Sequence, residues 1–100
     1  MAVPGTQLLL PGEPAGYQKL TVADTAVALT VPANANRALL ICETATLRFK
    51  DNGDSPTTTD GMLIQVNQSM VIDNEIALGK FKAIRTGGTS ATLHISYYKK

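Results

Sequence analysis

The sequence predicts an all-β fold: a compact antiparallel β-sandwich or small barrel, jelly-roll-like, of about eight short strands behind an extended N-terminal arm. Three observations predict it. Turn signals recur roughly every 8–12 residues. Between them, apolar and polar residues alternate with a period of two, most cleanly over residues 46–50 and 89–98. No helical period runs longer than about one turn.

Residues 1–16 hold Pro4, Gly5, Pro11, Gly12, Pro14 and Gly16. Proline fixes φ and removes a backbone donor, so this stretch reads as an extended arm ahead of a single domain over 17–100. Leu8, Leu9 and Leu10 are too apolar to stay in water and are expected to dock on this domain or a neighbour. In residues 17–22, Tyr17, Lys19 and Thr21 alternate with Gln18, Leu20 and Val22. Ala23 and Asp24 turn the chain. Residues 25–31 alternate through Val27, Leu29 and Val31 and stop at Pro32. Residues 37–43 form a continuous apolar run of strand length, placed centrally with both faces covered.

Thr44 and Ala45 turn into residues 46–50, with Leu47 and Phe49 inward and Arg48 and Lys50 outward. Asp51-Asn52-Gly53-Asp54 is the strongest turn signal, because Asn-Gly tolerates positive φ. A polar loop with Pro56 follows. Residues 61–66 and 69–72 read as a hairpin about Asn67-Gln68. Ile76, Ala77 and Leu78 read as a short helical turn before Gly79. Residues 80–86 form a strand with Phe81 and Ala83 inward and Lys80 and Lys82 outward, and Gly87-Gly88 a hairpin turn. The last strand puts Ala91, Leu93, Ile95 and Tyr97 on one face, and Thr92, His94, Ser96 and Tyr98 on the other.

A chain of 100 residues supports one core. Aromatic content is 5% with no Trp, so that core is aliphatic and a large aromatic binding platform is not expected. The net charge of +1 argues against a polyanion binder. Charge is nevertheless segregated along the chain. Residues 51–75 carry Asp51, Asp54, Asp60, Asp73 and Glu75 without a base, and residues 76–100 carry Lys80, Lys82, Arg85, Lys99 and Lys100 without an acid. This reads either as ordinary solvated faces or as an acidic and a basic side suited to head-to-tail packing. Cys42 is the only cysteine, which excludes an intrachain disulfide and suits a reducing cytoplasm. The N-terminal stretch lacks the basic start of a signal peptide, and no run approaches membrane-span length.

Site chemistry is sparse. Cys42 and His94 are single residues of their kinds and the minimum for a thiol nucleophile, but Cys42 sits in an apolar strand and His94 on a polar face. Asp51, Asn52, Asp54 and Asp60 share a loop with oxygen ligands for Ca²⁺, yet their spacing is not that of an EF-hand, and Asp and Asn also serve turns by bonding their own backbone. Lys80, Lys82, Arg85, Lys99 and Lys100 are candidates for phosphate contact, with Tyr97 and Tyr98 the aromatics nearby. No phosphate loop, zinc spacing or paired catalytic carboxylates stands out.

Residues 47–62, LRFKDNGDSPTTTDGM, resemble a motif recurrent in small phage and prophage proteins: Arg48-Phe49 before Asp-Asn-Gly, then Pro56-Thr57 and a Gly61-Met62 restart. The similarity extends over roughly 21–98. It includes an ALTVP run leading to Arg37-Ala38, a KFKAIRT strand and a final Ala-Thr-Leu strand ending in Tyr-Tyr. Here the loop is less acidic just after Asp51, and the arm is unusually rich in Pro and Leu. The resemblance implies a virion structural protein without catalytic residues, cofactor or metal. The expected role is a head decoration (cement) protein that folds in the host cytoplasm and then sits on the virion. It would be homo-oligomeric, contact the major capsid protein or another virion protein, and bind neither nucleic acid nor membrane. The alternative is a tail-associated carbohydrate- or receptor-binding module, with Tyr97 and Tyr98 as its aromatic contacts. Expected partner contacts are Leu8, Leu9, Leu10, Arg48, Asp51, Asn52, Asp54 and Asp60.

Overall fold

In the computed structural model, residues 12–99 are described. In chain order they form β1 (Glu13–Val22), β2 (Val27–Ala28), β3 (Arg37–Glu43), β4 (Leu47–Lys50), β5 (Met62–Ile64), β6 (Ser69–Ile72), the helix α1 (Glu75–Lys80), β7 (Lys82–Arg85) and β8 (Ala91–Lys99). The strands make two four-stranded sheets, ordered β1-β8-β3-β6 and β2-β7-β4-β5. Pairings are antiparallel throughout. The first strand pairs with the last, the second with the seventh, the third with the sixth and the fourth with the fifth. This is the order produced when one long hairpin is rolled into two sheets, which defines the jelly roll.

Alternation along each strand decides what is buried between the sheets. From the first sheet, Val22, Ala38, Leu40, Cys42, Ala91, Leu93, Ile95 and Tyr97 point inward. From the second come Leu47, Phe49, Ile64 and Ala83, joined by Leu78 of α1 and by Phe81. The core is mostly aliphatic, as composition requires. Its two phenylalanines, Phe49 and Phe81, stack at 5.2 Å between centroids. The inward assignments for 46–50 and for Ala91, Leu93, Ile95 and Tyr97 agree with the sequence reading. So does a central β3, although its outer face is open. Leu39 is half-buried and Ile41 is 42% exposed, so only one face of β3 is covered.

Several expected connections differ. Asn67-Gln68 and Gly87-Gly88 are not hairpin turns. Each carries the chain from one sheet to the other, β5 to β6 and β7 to β8. At the first, Asn67 adopts φ 69°, its N–H donates to Cys42 O (2.8 Å), and Gln68 O accepts from Cys42 N (3.0 Å). The turn is thereby pinned to β3 rather than closing β5 upon β6. The expected 25–31 strand shrinks to Val27–Ala28, while Leu29 and Val31 still pack against the core. The predicted helical turn is a six-residue helix that includes Gly79. Asn74 caps it, accepting from Ile76 N at 2.9 Å and Ala77 N at 3.0 Å.

The expected arm boundary at residue 16 also shifts. Residues 13–16 belong to β1 and pair with β8, with a bulge between Pro14 and Gly16. Proline is tolerated because β1 is an edge strand. Gly16 lies at φ +155°, and a Cβ there would meet Pro32 Cγ at 3.0 Å. Leu8, Leu9 and Leu10 lie outside the described residues.

Candidate functional site

Five of the expected contact residues, Arg48, Asp51, Asn52, Asp54 and Asp60, come together on the connection from β4 to β5. Arg48 leaves β4 on the outer face and turns back over the loop. Its Nε donates to Thr58 O at 3.1 Å and its Nη1 to Gly61 O at 2.8 Å. Asn52 makes an Asx turn, accepting from Asp54 N at 3.1 Å. Its amide also donates to Asp54 Oδ2 at 3.2 Å. Thr57 and Asp60 exchange backbone bonds of 2.8 and 3.3 Å. Pro56 is buried beneath them. These contacts are structural: Arg48, Asn52, Pro56, Thr57 and Gly61 hold one loop in one shape.

Lys50 adds an ionic tie, its Nζ lying 2.8 Å from Asp60 Oδ2. This hydrogen bond raises the Lys50 pKa and lowers that of Asp60. The tie also relieves a conflict in the sheet, because Lys50 stands directly across from Lys82 and like charges in that position repel. Asp51 stays exposed at the tip. Lys50, Asp51, Asn52, Asp60, Gly61 and Met62 border a shallow cleft of about 310 Å³. Among the described residues, no group of three or more His, Cys, Asp or Glu side chains is arranged to hold a metal ion. Turn chemistry accounts for the Asn52 and Asp54 contacts.

Within the acidic block, Asp60 is paired with Lys50 and Asp73 with Arg37 of β3 at 2.6 Å. The described candidate phosphate-binding residues lie on three elements. Lys80 ends α1, Lys82 and Arg85 lie on β7, and Lys99 lies on β8 in the other sheet. Arg85 Nη1 donates to Ser90 Oγ at 3.4 Å. Lys100 is outside the described residues.

Cys42 and His94 do not face each other. Cys42 is fully buried, donates to Ala45 O at 3.0 Å, and burial pushes its thiol pKa up. His94 projects from the opposite face of the same sheet. There it joins a chain that the sequence reading missed. Tyr17 Oη lies 2.6 Å from His94 Nδ1, and His94 Nε2 lies 2.9 Å from Glu43 Oε1. The carboxylate can only accept, so Nε2 donates to it; in the neutral imidazole Nδ1 is then the acceptor for the tyrosine hydroxyl. The Tyr17 and His94 rings are 6.2 Å apart and nearly parallel. The available signal was parity: all three residues fall on outward positions of their strands. Only strand order makes them neighbours. Tyr17 is 64% exposed. Tyr97, expected as an aromatic contact, is a core residue at 1% exposure that donates to Gln18 Oε1 at 2.7 Å.

The comparisons decide nothing further. No family model, curated protein or solved structure matches this chain significantly. The jelly-roll sandwich and the clamped loop thus stand on their own geometry. No helix among the described residues is long and apolar enough to cross a membrane.

Proposed function

We propose that this chain is a non-catalytic structural module of a phage particle, a head decoration (cement) protein that binds the capsid shell and stabilises it through many equivalent weak contacts. The observation that carries the reading is the β4–β5 loop. It is exposed, yet its backbone is already fixed by Arg48, Asn52 and Gly61. A loop ordered before binding loses little conformational entropy on contact. Repeated over a shell, a weak pre-organised contact gains strongly from multivalency. The resemblance of residues 47–62 to small phage proteins points the same way. The partner would be the major capsid protein or another virion protein, and the site of action the virion.

Cosedimentation with undecorated phage shells tests this. The wild-type chain should bind saturably, and Asp51→Arg at the exposed loop tip should lose most of that binding without altering the fold. Wild-type protein that stays in the supernatant would overturn the reading. One observation favours a second function, a tail-associated carbohydrate- or receptor-binding module. Tyr17 is an exposed aromatic ring hydrogen-bonded to His94, which in turn meets Glu43, and an exposed ring suits stacking on a sugar. Glycan binding abolished by Tyr17→Ala would support that alternative. Tyr97→Ala is not a useful probe, because it removes a core side chain.

A further inference from the structure

Edge strands invite pairing with other chains, and most edges of this molecule are guarded. β1 has a bulge, Pro14 and Lys19. β2 is two residues long. β6 has α1 packed beside it. β5 differs. It pairs with β4 alone, and among the described residues no strand lies on its other side. Residues 61–68 carry no charge. Within them Met62, Leu63 and Val66 are 64, 47 and 40% exposed, half of the exposed large hydrophobics found among the described residues.

One segment of the chain matches that edge in chemistry. Residues 1–11 precede the described fold, contain Leu8, Leu9 and Leu10, and have no charged side chain. They join the fold at Gly12, at the start of β1. Chain length decides whose β5 they can reach. Leu10 is two residues from Gly12 and Leu8 is four, so even a fully extended chain carries them only about 7 and 14 Å away. β1 lies over the β2–β7 side of the second sheet, where Arg85 N donates to Ala23 O, whereas β5 ends the opposite side. Three strand spacings and one sheet separation put it about 17 Å from β1 in a straight line through the core, and farther around the surface. Next to the start of β1 is a cleft lined by Glu13, Pro14, Ala15, Pro32, Asn34 and Lys99 among others, with no large aliphatic side chain to receive a leucine.

We infer that Leu8–Leu10 of one copy add as a strand to the free β5 edge of a second copy. Backbone hydrogen bonds would hold the added strand, and Met62, Leu63 and Val66 would cover its leucines. The interface is heterologous, since arm meets edge rather than arm meeting arm, so it builds rings or chains of copies. This inference is independent of shell binding and is tested on the purified protein alone.

Sedimentation velocity on full-length chains provides the test. Wild type should self-associate with rising concentration. Leu9→Lys, which spoils the arm, and Leu63→Lys, which guards the edge, should each sediment as single copies. An equimolar mixture of the two should form dimers, because one still supplies an edge and the other an arm. Both substituted positions lie outside the buried core or outside the described fold, and circular dichroism would verify that each variant is folded. Wild type remaining a single copy would overturn the inference. So would association that survives either substitution, or a mixture that stays unpaired.

Discussion

Arg48 Nη1 donates to the carbonyl oxygen of Gly61 at 2.8 Å, and a Cβ on Gly61 would come within 3.1 Å of Arg48 Cβ. The close approach and the hydrogen bond depend on each other. Gly61 also lies at φ +145°, which L side chains rarely adopt, and the space is closed on other sides by Pro56 Cβ at 3.1 Å and Phe49 O at 3.2 Å. Gly61→Ala should therefore destabilise the fold by about 1–3 kcal/mol. Arg48→Lys cannot reproduce the two-pronged contact and should cost about 1–2 kcal/mol. Urea denaturation measures both. Gly61→Ala with wild-type stability would show that the loop relaxes freely, contrary to the clamp.

The tie between Lys50 and Asp60 should respond to acid in a definite direction. The Asp60 pKa is lowered in the fold, so the tie's contribution is present above the ordinary aspartate value and is lost as pH falls through the folded value. The Lys50 pKa is raised, so at the alkaline end the contribution is present below the ordinary lysine value and is lost as pH rises through the folded one. NMR titration of the Asp60 carboxyl in wild type and Lys50→Gln tests the coupling. The substitution should move the Asp60 midpoint upward. An unchanged midpoint would mean that the ion pair is not formed in solution.

Tyr97 sets a second pH window. Burial raises its hydroxyl from 10.0 to about 12, because the phenolate would be left in the core. A folded value above the unfolded one means stability is intact below about pH 10 and is lost progressively as pH rises toward about 12, by at most about 2–3 kcal/mol. Tyr97→Phe should lack that loss. Near neutral pH the same substitution leaves Gln18 Oε1 with Thr30 N as its partner (3.1 Å) and should cost about 1 kcal/mol. Parallel alkaline decline in the two proteins, followed by chemical denaturation, would refute the assignment.

Thr44 holds φ 80° between β3 and β4, where Ala45 N bonds back to Glu43 O at 3.0 Å. This is the tight γ-type turn that moves the chain from one sheet to the other, and a β-branched residue is strained in it. Glycine removes that strain at some entropic cost in the unfolded chain. Thr44→Gly should gain about 0.5–1 kcal/mol and raise Tm by a few degrees. A lower Tm would indicate that the threonine side chain makes a compensating contact.

For the cleanly alternating strands, the sequence by itself determined which side faces the core. A half-buried strand repeats every two residues, so Leu47 and Phe49, or Leu93, Ile95 and Tyr97, declare their face locally. It also determined the Asx turn at Asn52, since that bond closes within two residues. What it did not carry was strand partnership. Alternation is the same whichever strand lies alongside, so Asn67-Gln68 looked like a hairpin when it is a crossing between sheets. Only the tertiary structure decided that β3 pairs with β6 and β8, because that arrangement brings their inner faces, Ala38 with Ile72 and Leu40 with Ile95, into one core. The Tyr17–His94–Glu43 chain belongs to the same class. Its residues lie 77 and 51 positions apart, and strand order and register alone bring them within hydrogen-bonding distance.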